Sequence, residues 1–77
     1  MTYDQAKALV FCSGTVPDGY FGSRAHVGFA FDAESGRTLV VHQHGYFTAP
    51  IPAATDRDEA RWLLNRHSSA RDYRVMS

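Results

Sequence analysis

Three histidines, one cysteine, one arginine and two tyrosines are the side chains here whose types and spacing could do chemistry. His42 and His44 stand two apart in a run rich in β-branched residues, so in a strand both imidazoles project from one face. A third imidazole, His26, on a neighbouring strand would complete a set of nitrogen ligands suited to a transition metal such as zinc. No carboxylate lies beside the cluster to orient the rings, so His26, His42 and His44 stand as metal candidates only, and no cofactor is expected. Cys12 could act as a nucleophile only with an imidazole base within hydrogen-bond reach. The register expected below puts Val10, not Cys12, across from His26, so no catalytic residue is assigned and the chain reads as non-enzymatic. Tyr20, Arg24 and Tyr46 complete the set, and tyrosine and arginine are the types that protein-binding surfaces favour.

The elements that position these residues are set by two turns of similar build. Val16-Pro17-Asp18-Gly19-Tyr20 and Ala33-Glu34-Ser35-Gly36-Arg37 each read as a type I turn closed by a glycine at positive φ. Val16 then faces Tyr20, Ala33 faces Arg37, and the cross-strand pairs follow by counting back, with Leu9 opposite Val27 and Phe29 opposite Val41. The first strand is the apolar run from Ala8 to Cys12, the second lies within Tyr20 to Asp32, and the third runs from Thr38 through His44 to about Thr48. One face of this antiparallel meander carries Leu9, Phe11, Phe21, Val27, Phe29, Phe31, Leu39, Val41 and Phe47 as the expected core. The opposite face carries Tyr20, Arg24, His26, His42, His44 and Tyr46, with Cys12 and Val40 beside them.

Thr2 and Gln5 have the spacing of a capping box, enough for a helical turn at the start of the chain. Ala49-Pro50-Ile51-Pro52 ends the sheet, since neither proline can donate to a ladder, and is expected to run as an exposed connector. Thr55 or Asp56 then opens a helix whose apolar stripe is Ala60, Leu63, Leu64 and His67, with Trp62 expected to pack at its border. Tyr73-Arg74-Val75-Met76 reads as a last short strand at a sheet edge. The expected fold is a single α+β domain over 1–77, ordered β-β-β-α-β, with the helix on the Phe-rich face and the histidine face free of helix.

Composition narrows the function classes. Seventy-seven residues with 44% apolar side chains are close to the lower limit for a self-sufficient core, which leaves room for a homodimer. Eight basic and eight acidic side chains cancel to zero net charge, which disfavours nucleic acid and gives no pull toward anionic lipid. A lone cysteine and a start of Met1-Thr2-Tyr3-Asp4, without basic and apolar leader regions, fit a cytoplasmic setting. No apolar run approaches the roughly 20 residues that span a bilayer, so no membrane association is expected.

The layout of three strands followed by a helix resembles the AP2-type and integrase amino-terminal DNA-binding domains. Gly45-Tyr46-Phe47-Thr48 leading to Asp58-Glu59-Ala60-Arg61 is similar to the approach to the AP2 helix, over about a quarter of the chain. The AP2 sheet reads bases with several Arg and Trp, where this face offers Arg24 alone, so no base-reading residue carries over. The double-stranded RNA-binding domain shares the order but opens its helix with a basic, Gly-containing stretch that this chain lacks. The leading expectation is therefore a small protein-protein interaction module that binds through the helix-free sheet face. That class includes phage or mobile-element inhibitors such as anti-CRISPR proteins. The rival expectations are a nucleic-acid-binding domain that uses the same face and a metal-binding protein with a three-His site.

Overall fold

The computed structural model describes residues 1–18, 23–67 and 74–76. Its elements run α1 (Tyr3–Ala8), β1 (Val10–Asp18), β2 (Ser23–Asp32), β3 (Arg37–His42), β4 (Gly45–Thr48), α2 (Arg57–His67) and β5 (Arg74–Met76). The α+β class, the antiparallel sheet and the last strand at a sheet edge hold. The three-stranded meander does not, because the run expected as one third strand folds back at Gln43-His44 into the separate strands β3 and β4. The sheet order is β4-β3-β2-β1-β5, antiparallel at every junction.

Both registers differ from the expected ones by an odd number of residues. At the first hairpin Val16 pairs with Ala25 rather than Tyr20, because β1 continues through Pro17 to Asp18 and pairs there with Ser23. At the second, Phe29 pairs with Val40 rather than Val41, because Asp32 and Arg37 close a loop one residue longer than the three-residue turn. Asp32 explains the extra residue. Its backbone carbonyl accepts from Gly36 N–H at 2.8 Å, and its carboxylate accepts from Glu34 N–H at 3.1 Å and from the Ser35 hydroxyl at 2.9 Å. An aspartate that holds the loop from its first position in this way stabilises the wider turn. Gly36 still takes the expected left-handed backbone, at φ 72°.

Since side chains alternate along a strand, each odd slip exchanges the faces of the strand beyond it. Val40 therefore joins Val27, Phe29 and Phe31 under α2, while Leu39 and Val41 turn to the opposite side with Ala30. The slip of the first hairpin likewise sets Cys12 opposite Phe29, on the α2 side, and a bulge between Val10 and Cys12 turns Val10 back to the side of Ala30. The two faces carry two cores. On one, Ala60, Leu63 and Leu64 of α2 pack with the sheet, and Ala49, Ile51 and Ala54 of the connector complete the cluster. That corrects the exposed connector: Pro50 and Pro52 point to solvent, but Ala49 and Ile51 alternate inward. Ala49 N–H donates to Thr38 O at 2.9 Å and Ala54 N–H to Gly36 O at 2.7 Å, which ties the connector to the sheet.

The second core lies beneath α1, on the face expected to be free of helix. Thr2 caps this helix with a complete capping box: Gln5 N–H donates to Thr2 Oγ1 at 3.2 Å and Thr2 N–H to Gln5 Oε1 at 2.8 Å. Six residues are too few to hold a helix in isolation. Here Ala6, fully buried, lets the backbone approach Ala30, Leu39 and Val41, and Tyr3, Leu9 and Tyr46 fill the margins. Among the described residues no helix is long and apolar enough to cross a membrane.

Candidate functional site

The β3–β4 hairpin gathers the chemistry that the sequence spread along one strand. Its two-residue loop, Gln43-His44, keeps negative φ, and Gly45 alone takes a positive value, 148°. The ring of His42 holds the turn together, with His44 N–H donating to His42 Nδ1 at 3.2 Å. That bond fixes the His42 ring beside its neighbours, 6.2 Å from the His44 ring and 6.0 Å from that of Phe47. Gln43 Nε2 lies 3.2 Å from His44 Nε2 and completes a polar tip.

Tyr46 and Tyr3 tie this hairpin to α1 from the reverse side. The Tyr3 hydroxyl donates to His42 O and the Tyr46 hydroxyl to Met1 O, each at 2.5 Å, while the rings of both tyrosines border the second core. Tyr46 is thus half-buried and engaged within the fold, on the α1 side of the sheet and away from the ring of His42. Arg24 is engaged too: its Nε donates to Thr15 Oγ1 at 2.8 Å and a terminal nitrogen to Thr15 O at 3.2 Å.

His26 does not meet the other two imidazoles. The β2–β3 ladder stops at Gly28 with Val41, so His26 has no partner on β3 and pairs with Thr15 of β1 instead. It is exposed on the α1 side, at the rim of an open depression of about 410 Å³ that Tyr3, Lys7, Val10, Gln43 and His42, whose carbonyl meets the Tyr3 hydroxyl, also line. His42, by the alternation of β3, projects its ring from the opposite face, and His44 stands on the loop. The three-His set is therefore dispersed, and among the described residues no group of three or more His, Cys, Asp or Glu could hold a metal ion. Tyr20 lies outside the described residues, as does Phe21 of the expected core.

Cys12 is half-buried on the α2 side. Burial pushes its thiol above the ordinary range, and the nearby Arg61 guanidinium offsets part of that rise. A protonated thiol on one face and the exposed His26 on the other do not form a nucleophile and base.

Two aromatic residues were misplaced by sequence reasoning. Phe47, expected in the core, is 44% exposed at the sheet margin, and Trp62, expected to pack, is 56% exposed on α2. A signal for each was present. Gly45 after the polar pair Gln43-His44 is a hairpin mark inside a β run. At 100° per residue, Trp62 lies nearly opposite the mean direction of Ala60, Leu63 and Leu64. His67, expected at the end of the apolar stripe, is exposed at the last residue of α2.

In comparisons with known proteins, no family model, no curated protein and no solved structure matches the chain. The functional reading therefore rests on this geometry alone.

Proposed function

We propose that the chain is a small, non-enzymatic protein-protein interaction module that binds its partner through the β3–β4 hairpin. The observation that carries this reading is the outer margin of the sheet, where β4 is the last strand and Phe47 is left 44% exposed. An edge strand offers unpaired backbone N–H and C=O groups, and most proteins blunt it with charge or proline. Gly45-Tyr46-Phe47-Thr48 contains neither. A partner that adds an extended segment here gains ladder bonds from the backbone and a site for an apolar side chain at Phe47, with His42 and His44 as polar neighbours. The raised thiol of Cys12 and its separation from His26 support a module without nucleophilic catalysis. This surface replaces the helix-free face of the sequence reading, which α1 covers in part.

The test begins with capture from cells of the source organism, followed by reconstitution of the recovered protein with purified components. Wild type and Trp62→Ala are expected to bind alike, and Phe47→Glu at least ~10-fold more weakly, since a buried unpaired carboxylate opposes docking. Unchanged affinity of a folded Phe47→Glu overturns the reading. For an inhibitor of the anti-CRISPR type, the partner is a component of a nuclease complex, and Phe47→Glu restores the interference that the wild type blocks. Tight binding to duplex DNA that falls steeply between two salt concentrations would instead favour the nucleic-acid reading.

A further inference from the structure

We propose that the outer face of α2 is a self-association surface, on which two copies of this chain pair antiparallel about a two-fold axis at Trp62. Trp62 is 56% exposed, and its only described ring contact is Arg66, whose guanidinium carbon lies 5.1 Å from the ring centroid. A large aromatic side chain on the solvent side of a helix is costly to leave in water, and tryptophan and arginine are the residues most enriched at the centres of interfaces.

The flanks of Trp62 indicate which partner fits. Acidic residues Asp58 and Glu59 stand in the first turn of α2, and Arg66 and His67 in the last. Asp58, Trp62 and Arg66 are spaced i, i+4, i+8 and so share one face. Asp58 and Arg66 are eight residues apart, about 12 Å along the axis, too far to pair with each other within one chain. Glu59 differs, since its carboxylate already accepts from the Thr55 N–H and hydroxyl at 3.3 and 3.4 Å. When a second α2 is laid antiparallel with the two tryptophans opposed, Asp58 of each copy falls opposite Arg66 of the other, and Glu59 opposite Asn65. The surface is complementary to itself, as a two-fold interface requires. Zero formal net charge leaves no long-range repulsion between copies. An eleven-residue helix is only about 16 Å long, so the contact is smaller than a standard interface and the dimer is weak, forming in the micromolar to millimolar range.

Sedimentation equilibrium on the full chain, from ~10 μM to ~1 mM, tests the pairing. Wild type is expected to pass from monomer to dimer, and the emission of Trp62, the chain's one tryptophan, to shift to the blue as it does so. Trp62→Ala is expected to stay monomeric with an unchanged melting temperature at low concentration. Asp58→Arg and Arg66→Asp each place like charges across the two-fold and are expected to weaken the dimer at least ~10-fold. Mixed in equal amounts, the two variants regain both opposite-charge pairs and are expected to form a heterodimer. A wild type that stays monomeric at ~1 mM overturns the proposal, as does a Trp62→Ala dimer of unchanged strength or a mixture no stronger than its components. Quenching of Trp62 by a single-stranded oligonucleotide in a wild type that does not dimerise would assign the face to nucleic acid instead.

Discussion

Replacing Gly36 by alanine isolates the contact that joins the β2–β3 loop to the connector. Two effects act together. At φ 72° an L residue pays roughly 1–2 kcal/mol for the left-handed backbone. A Cβ built at this position also falls 2.7 Å from the backbone oxygen of Ala54, which has no flexible end to swing aside. Moving Ala54 strains the bond its N–H donates to Gly36 O at 2.7 Å, a contribution of about 0.5–1.5 kcal/mol. The lower chain entropy of alanine in the unfolded state returns roughly 0.4–1 kcal/mol. The net loss is about 0.5–3 kcal/mol, against a total stability of ~4–12 kcal/mol for a chain of 77 residues. In thermal unfolding followed by circular dichroism this corresponds to a fall in Tm of roughly 2–25 °C, at about 4–8 °C per kcal/mol for a domain of this size. Gly45→Ala is a second probe, because Gly45 has a positive φ of 148° but no atom of the described residues within 4 Å of a Cβ, so backbone strain acts there without a clash. If Gly36→Ala costs no more than the roughly 1 kcal/mol that left-handed strain alone leaves after the entropy return, the clash with Ala54 is not present and the packing of the connector against the loop is wrong.

Three further outcomes are expected. Thr38 is fully buried with a hydroxyl that has no hydrogen-bond partner among the described residues, so Thr38→Val should stabilise the fold by about 1–2 kcal/mol in urea unfolding, whereas a loss would reveal a partner for the hydroxyl. Tyr3→Phe removes the bond to His42 O and should cost about 1 kcal/mol, with amide exchange of α1 and the β3–β4 loop accelerating while the β1–β2 ladder stays protected. Equal acceleration across the whole sheet would refute the tie between Tyr3 and the hairpin. The Cys12 thiol has a raised folded pKa, so the native state holds its proton more tightly than the unfolded state does. Stability is therefore unaffected below the ordinary thiol value of 9.0 and falls as pH rises past it toward the folded value, and alkylation of the native protein lags that of the unfolded chain. A Cys12→Ala variant with the same alkaline loss of stability would assign that loss to other groups.

What was legible beforehand was what acts over a few residues. Thr2 and Gln5 make the capping box their spacing predicted, Gly36 takes the left-handed backbone, and Ala60, Leu63 and Leu64 face the core at helical spacing. The candidate site was not legible, because it hung on register, and register hung on loop length. Asp32 widened one loop by accepting three bonds, so His42 and His26 ended on opposite faces; β1 ran on through Pro17, so Cys12 changed sides; and the turn at Gln43-His44 left Phe47 at the margin.

By itself the sequence determined the class of the domain, its second helix and the glycine its second hairpin requires, since caps, apolar periodicity and positive φ are local properties of a chain. Tertiary structure alone decided that α1 covers the face once taken to be open, that Tyr46 and Arg24 serve the fold, and that Phe47 and Trp62 face solvent. The physical reason is the two-residue period of a strand: a slip of a single position costs little in local preference and yet exchanges every side chain between the two faces of the sheet.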